Sequence, residues 1–263
     1  MIKALVSDYD GTLVDHNHQL NEICQLAIND FVASGKIFTI ATGRMYQGVV
    51  KAVAKQLNLK NPVIVRGGAE IVSPLNDEVL WGKYIEKETV SQLIIFLNSQ
   101  NHIEFAAESG NLAYTQNGKI EKEFGAGTKF GDLANIDPTQ VPKVVVFPAY
   151  QEKVIDELIE ILQKKFSQLH LAKITSRRGF GIDINNSEAG KENALIALAK
   201  ILNLDLAEIA GVGDGHNDYP LLTNCGFRIA MGNAPEELKA IANQIVGTQE
   251  ENGIIEAIKL VSN

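Results

Sequence analysis

Two acidic loops lie near opposite ends of this 263-residue chain, each directly after a short apolar run, and they constrain its fold more than any other feature. The first loop is Asp8-Tyr9-Asp10-Gly11-Thr12, after the run at 2–6. The second is Gly213-Asp214-Gly215-His216-Asn217-Asp218, after the run at 209–212. A short apolar run bounded by turn residues reads as a buried strand. If the two strands are neighbours in one sheet, acids from distant parts of the sequence converge at one edge. Crowded carboxylates repel unless a cation joins them, and an all-oxygen donor set suits a hard divalent ion.

The flanking segments favour such a sheet. Residues 20–32 carry apolar side chains at helical spacing (Leu20, Ile23, Leu26, Ala27, Phe31) and stop at Gly35. A strand is expected at 37–41, a helix at 46–57 and a third strand at 62–65. This β-α-β-α-β order predicts a parallel sheet with right-handed crossovers. Residues 67–81 read as a hairpin, with turn chemistry at Ser73-Pro74 and Asn76-Asp77.

From about 84 to 184 the texture changes. Helices are expected at 87–98 and 151–166, and shorter strands at 103–107, 112–115, 144–147 and 182–184. Gly125, Gly127 and Gly131 read as turns, since no Gly-Lys-Ser/Thr follows them. The βα rhythm then resumes, with helices at 191–202, 219–222, 235–242 and 253–261 and strands at 209–212, 228–231 and 244–246. The expected fold class is therefore α/β: a Rossmann-like parallel-sheet core, residues 1–82 and 186–263, with an inserted α+β domain at 83–185. In open α/β sheets ligands bind beyond the carboxyl ends of strands, where the strand order reverses. Asp8, Thr42 and Asp214 all follow expected strands.

The formal net charge of -8 argues against a nucleic-acid partner. No apolar run approaches the ~18 residues of a membrane span. Cys24 and Cys225 read as packed free thiols. A cytoplasmic protein, monomer or homodimer, is expected.

Asp8 and Asp10 offer a nucleophile and a proton donor beside a divalent ion, a phosphoryl-transfer site without a Walker loop. The ordered set Asp8-x-Asp10-Gly11-Thr12, Ala41-Thr42-Gly43-Arg44, Lys191 and Gly213-Asp214-Gly215-x-Asn217-Asp218 resembles the four motifs of the haloacid dehalogenase-like (HAD) phosphatases. The run Ala230-Met231-Gly232-Asn233-Ala234, with Lys239 downstream, resembles the Cof-type branch with its large type IIB cap. The resemblance implies Mg²⁺-dependent hydrolysis of a small phosphomonoester, with sugar phosphates as the leading class, and a cap that closes over the site and selects the leaving group.

Under that resemblance Asp8 attacks phosphorus and forms an aspartyl-phosphate. Asp10 is the general acid–base; the transporting ATPases carry Thr at its position, so Asp10 points to a phosphatase or phosphomutase. The Asp8 carboxylate, the Asp10 backbone carbonyl and the Asp214 carboxylate are the expected Mg²⁺ ligands, with phosphate and water. Thr42 and Gly43 would donate to the phosphoryl oxygens at a helix N-terminus, with Arg44 beside them on the substrate. Lys191 opens a helix, where the dipole disfavours a cation, which suits a role in neutralising the transferring group and Asp8. Asp218 would orient metal-bound water and Lys191, and Asn217 would also reach substrate; both also fit as helix caps. His216 reads as an exposed loop residue.

Two positions depart from the family pattern. Gly67 stands where Asn is usual after the third strand, with Arg66 beside it, and Glu192 follows Lys191 in place of Gly. In the insert, Lys143, Arg177 and Arg178 are candidates to meet an anionic or polyhydroxy substrate, or are plain surface charge. Two other functions fit the same motifs. A phosphomutase would need a bisphosphate activator, and a non-catalytic Mg²⁺/phosphoester sensor would bind without turnover.

Overall fold

The computed structural model describes residues 1–100, 102–116, 127–176 and 178–262. The chain divides into two compact units, Met1–Trp81 with Lys191–Asn263, and Gly82–Gly190.

The first unit is built on a five-stranded parallel sheet: β1 (Ala4–Ser7), β2 (Ile37–Ile40), β12 (Ile209–Gly213), β13 (Phe227–Ala230) and β14 (Gln244–Ile245). The spatial order is β14-β13-β12-β1-β2. β1 pairs with β2 on one side and β12 on the other, with Ala4 opposite both Ile37 and Ile209. The winding runs one way from β1 to β2 and the other way from β12 to β14, so the order reverses between β1 and β12. The strands are short, and the central ones, β1, β2 and β12, are buried on both faces, as crossover helices on both sides of a parallel sheet require, whereas the edge strand β14 is exposed. One crossover, α1 (Glu22–Ala33), is capped by Asn21, whose side chain accepts the Ile23 N–H. Its buried Cys24, Ile28 and Phe31 pack with Leu5, Phe38 and Ile40 of the sheet.

The third expected strand joins this sheet only at its tip. β3 (Val63–Val65) meets the end of β2 through a single bridge, Ala41 to Ile64. It then turns back into β4 (Glu70–Val72), and β5 (Val79–Gly82) completes a separate three-stranded sheet. The expected helix at 46–57 begins only at Val49, as α2 (Val49–Gln56). Gly48, at φ 85° and ψ -127°, breaks the helical path before it. No helix N-terminus therefore stands at Thr42.

The second unit carries a six-stranded sheet of β6 (Phe105–Ser109), β7 (Leu112–Thr115), β8 (Lys129–Asp132), β9 (Lys143–Tyr150), β10 (Leu169–Ser176) and β11 (Gly179–Asn186). Its order is β10-β11-β9-β6-β7-β8, antiparallel except for the β7–β8 pair. Two helices, α3 (Lys87–Ser99) and α4 (Glu152–Lys165), supply Leu93, Leu97, Ile155 and Leu162 to one face, against Phe105, Val144, Val146, Ile182 and Ile184. Val145 and Phe147 point to the other face and cluster with Ala106 and Ala113. That is the two-residue alternation of a strand.

Two strands were not apparent from apolar runs, β8 and β10. Both are sheet edges, and polar residues such as Lys129, His170 and Lys173 interrupt their hydrophobic pattern. The second unit also extends past 185. The Asn186 side chain donates to the Tyr84 carbonyl at 2.8 Å, and Lys83 pairs with Glu188, so the turn after β11 stays with this unit. Gly125 and Arg177 lie outside the described residues. Lys143 is buried in an ion pair with Asp183 at 2.7 Å, so it is not plain surface charge. Among the described residues no helix is long and apolar enough to cross a membrane.

Leu162 is fully buried between α4 and this sheet. Leu162→Ala should destabilise the protein by ~2–5 kcal/mol through lost burial and a residual cavity, measured as a lower urea midpoint for the second unit.

Candidate active site

The reversal between β1 and β12 brings the two acidic loops together. Asp8 leaves β1 with its backbone N–H donating to Val212 of the neighbouring strand at 2.8 Å. Asp214 follows β12 directly. The third participant comes from α5 (Lys191–Leu202), whose first residue reaches in from the side. The Lys191 ammonium donates to Asp8 Oδ1 at 2.6 Å and to Asp218 Oδ1 at 2.5 Å. All three side chains are almost completely buried.

Asp218 is fully committed. Its other oxygen accepts the backbone N–H groups of Asp214 and Gly215, at 3.1 and 2.9 Å. It therefore shapes the second loop as well as holding Lys191. Asp214 is held on both oxygens. Thr12 Oγ1 donates to Oδ1 at 2.8 Å, and Asn233 Nδ2 donates to Oδ2 at 2.9 Å. Gly11, at φ 77°, passes so close that a Cβ there would lie 2.4 Å from Asp214 Oδ2. Only glycine meets both the left-handed backbone and the contact.

Asp10 has a different environment from Asp8. Its side chain is 44% exposed and turned toward Arg44, whose Nε lies 2.9 and 2.7 Å from its two oxygens. His18 Nδ1 approaches from the other side at 3.5 Å, on a loop pinned by Asp15, which accepts the N–H groups of Asn17 and Gln19. Arg44, expected on substrate, thus holds Asp10 in this structure.

Thr42 is buried at the end of β2. Its hydroxyl accepts the Arg44 N–H at 3.1 Å, and its own backbone N–H donates to Ile64. Thr42 and Gly43 therefore lie in a side-chain-capped turn, where a helix terminus was expected. The segment after β3 braces this turn. Arg66 and Gly67 donate backbone N–H groups to the carbonyls of Arg44 and Thr42 at 2.8 and 2.9 Å. Gly67 sits at φ 70°, the left-handed region that glycine and asparagine share. The departure from the family's Asn is therefore neutral for the backbone. Arg66 pairs with Glu70 at 2.5 Å, both buried. His216 and Asn217 are exposed on the turn before α6 (Tyr219–Asn224).

The electrostatics follow from burial. Burial and the Asp218 charge push the Asp8 carboxyl well above its usual range, against the pull of Lys191. Burial and Asp218 push Asp214 up to about 6. Burial opposes the Lys191 charge, but Asp218 and Asp8 outweigh it and hold the ammonium above the ordinary lysine value. For Asp10, desolvation acts upward, but His18 and Arg44 prevail and hold it below the usual carboxylate range.

Asp8, Asp214 and Asp218 each bring a carboxylate oxygen within 4.8 Å of the others, and one lysine faces all three charges. A divalent cation cancels the two negative charges left over, and the all-oxygen donor set fits Mg²⁺. Asp218 takes the ammonium on one oxygen and two backbone N–H groups on the other, whereas each Asp214 oxygen accepts a single neutral donor and keeps a lone pair, so Asp8 and Asp214 are the carboxylates open to such an ion. The residues present therefore fit the group.

Fold and site define a two-unit enzyme with paired carboxylates at the switch point of a parallel sheet. The chain belongs to the haloacid dehalogenase-like hydrolases, whose family model matches residues 5–258. It is 26% identical to the phosphatase YwpJ of Bacillus subtilis, over 98% of this chain and 99% of that protein. It is also 26% identical to the B. subtilis 5-amino-6-(5-phospho-D-ribitylamino)uracil phosphatase YitU, over 96% of this chain and 94% of that one. A solved structure described as a HAD subclass IIB sugar phosphatase shares the fold, with a TM-score of 0.81 at 22% identity, covering 98% of each chain.

The motifs marked Asp8, Asp10, Lys191, Asp214 and Asp218 by residue type and position. They did not assign a partner to Thr12, or a role to Asn233 and His18. Asn233 was visible in its motif; His18 carries no sequence signal, because its approach to Asp10 depends on the fold of the 15–19 loop.

Gly11→Ala should displace Asp214 and weaken Mg²⁺ binding with little loss of secondary structure, measured by calorimetry beside circular dichroism. With Asp214 pushed up to about 6, protons would compete there with a divalent cation. The raised folded-state value means that this group disfavours folding as pH rises from its unfolded value through about 6, and a bound cation removes that penalty. Mg²⁺ should therefore raise the melting temperature more at pH 7.5 than at pH 5, in a fluorescence melt with and without the ion.

Proposed function

We propose that this protein is a cytoplasmic, Mg²⁺-dependent phosphatase that hydrolyses small phosphomonoesters, with sugar and sugar-alcohol phosphates as the leading substrate class. The observation that carries this reading is the convergence of Asp8, Lys191, Asp218 and Asp214 at one sheet edge, with Asp10 held apart beside it. A binding module has no need of a nucleophile and a separately placed acid. The phosphoribityl compound in the name of YitU is a polyhydroxylated phosphate of the proposed class.

One Asp8 oxygen is held by Lys191, and the other accepts no hydrogen bond among the described residues. That second oxygen is the nucleophile. It forms a bond to phosphorus as the ester P–O bond breaks, and the leaving oxygen takes the proton carried by Asp10. Water then attacks the aspartyl-phosphate, Asp10 takes its proton, the Asp8–phosphorus bond breaks, and inorganic phosphate leaves. Lys191 compensates charge on Asp8 and the transferring group throughout. The Thr42 hydroxyl accepts from Arg44 and keeps its own hydrogen for a phosphoryl oxygen. Asp8, Asp214 and the Asp10 backbone carbonyl would hold Mg²⁺, which would supply the remaining positive charge.

The free site does not yet hold protons where this scheme needs them. Asp8 is raised, which disfavours the carboxylate, and Asp10 is lowered, which disfavours the acid. Loading acts against both: a cation favours the Asp8 carboxylate, and an anionic phosphate that draws Arg44 from Asp10 relieves the part of the lowering that Arg44 supplies, while His18 stays beside it. Arg44 is thus a substrate ligand that rests on the acid between turnovers.

Phosphate release from a panel of small phosphomonoesters, with and without Mg²⁺, tests the reading. Asp8→Asn should abolish turnover and keep the fold; normal turnover would remove Asp8 from the mechanism. Asp10→Asn should lower kcat by ~10²–10⁴-fold and slow both steps, read as burst and steady-state rates. An unchanged rate would assign the proton transfer to another group.

A further inference from the structure

Asn233 lies in the turn after β13, exposed to solvent at its outer edge. Its Nδ2 donates to Asp214 Oδ2 at 2.9 Å and to the Gly11 carbonyl at 3.1 Å. Both partners are acceptors, so chemistry fixes the amide orientation; the flipped side chain would set oxygen against oxygen. One amide group therefore ties the second acidic loop to the first, and it reaches Gly11 across 222 residues of sequence.

The turn that carries Asn233 is itself anchored. Met231 donates its N–H to the Gly213 carbonyl at 3.0 Å, one residue before Asp214. Gly232 donates to Gly247 at 3.2 Å, and Ala234 closes the turn onto Met231 at 3.0 Å. The amide is thus referenced to the strand end that carries Asp214. From the opposite side Thr12 Oγ1 holds the other Asp214 oxygen at 2.8 Å.

We propose that Asn233 is a positioning residue for the divalent-cation site, an amide strap that holds Asp214 against the Asp10–Gly11 loop and presets the gap the cation enters. This rests on the metal reading made above. Without a cation, Asp8 and Asp218 repel Asp214, and the loop can relax outward. Two neutral donors, one on each oxygen, oppose that movement without adding charge that would compete with the ion. Once the cation is bound, it holds Asp214 itself. The strap therefore contributes to affinity for the ion and little to turnover when the ion is saturating. Outer partners of metal-binding carboxylates commonly act in this way.

The test is Mg²⁺ titration of the full chain by calorimetry, without substrate, wild type beside Asn233→Ala. The variant should bind Mg²⁺ ~10–100-fold more weakly, while the metal-free melting temperature stays close to that of wild type. In turnover assays the Mg²⁺ requirement should rise by the same factor, with kcat at saturating Mg²⁺ and KM for the phosphoester unchanged. Equal Mg²⁺ affinity in the two proteins overturns the strap and leaves the metal reading standing. So does a kcat that stays depressed at saturating Mg²⁺ with affinity intact, which would mark Asn233 as part of the chemistry. Absence of Mg²⁺ binding by the wild type overturns the metal reading, and the strap with it.

Discussion

The site depends on one buried ammonium shared between two carboxylates. Lys191 meets Asp8 from the first acidic loop and Asp218 from the second, and none of the three has meaningful access to water. Buried charges of this kind are costly unless paired and hydrogen-bonded. The pairing here is paid for by the fold: adjacent parallel strands set the two loops side by side, and α5 starts where its first residue can reach both. The same arrangement leaves negative charge in excess. Such an excess of carboxylate oxygens suits a divalent cation.

Asp8 and Asp10 lie two residues apart and are driven in opposite directions. Asp8 is buried among like charges; Asp10 is half-exposed beside Arg44 and His18. Divergent environments for neighbouring carboxylates are a common way to assign them different chemical roles. Gly11 turns the first loop sharply beside Asp214, which Thr12 and Asn233 hold by one oxygen each. The Thr42 turn is braced by the backbone of Arg66 and Gly67 and carries the Arg44 that meets Asp10.

Much of this was legible in the residues. The apolar runs before Asp8 and Asp214 correspond to β1 and β12, and the expected helices at 191–202 and 253–261 match α5 and the last helix, Gly253–Val261. Such elements are read well because burial on both faces, or along one helical face, imposes a strong pattern. Edges were harder. β8 and β10 have one free side and carry polar residues there, so their alternation is diluted. The start of α2 was misplaced because the periodicity of 46–57 continues through Gly48, and periodicity does not report a backbone reversal.

The sequence by itself determined the types of group available: a nucleophile and an acid two residues apart, a lysine opening a helix, and a second set of acids after a distant strand. It determined the sheet as well, because strands of this composition must be covered on both faces. Only the tertiary structure decided who meets whom. It gave Lys191 to both Asp8 and Asp218, rested Arg44 on Asp10, and turned Asn233 onto Asp214 and Gly11. Residue identity and period follow from local chain chemistry. Pairings over such separations depend on strand order and loop path, which no local pattern contains.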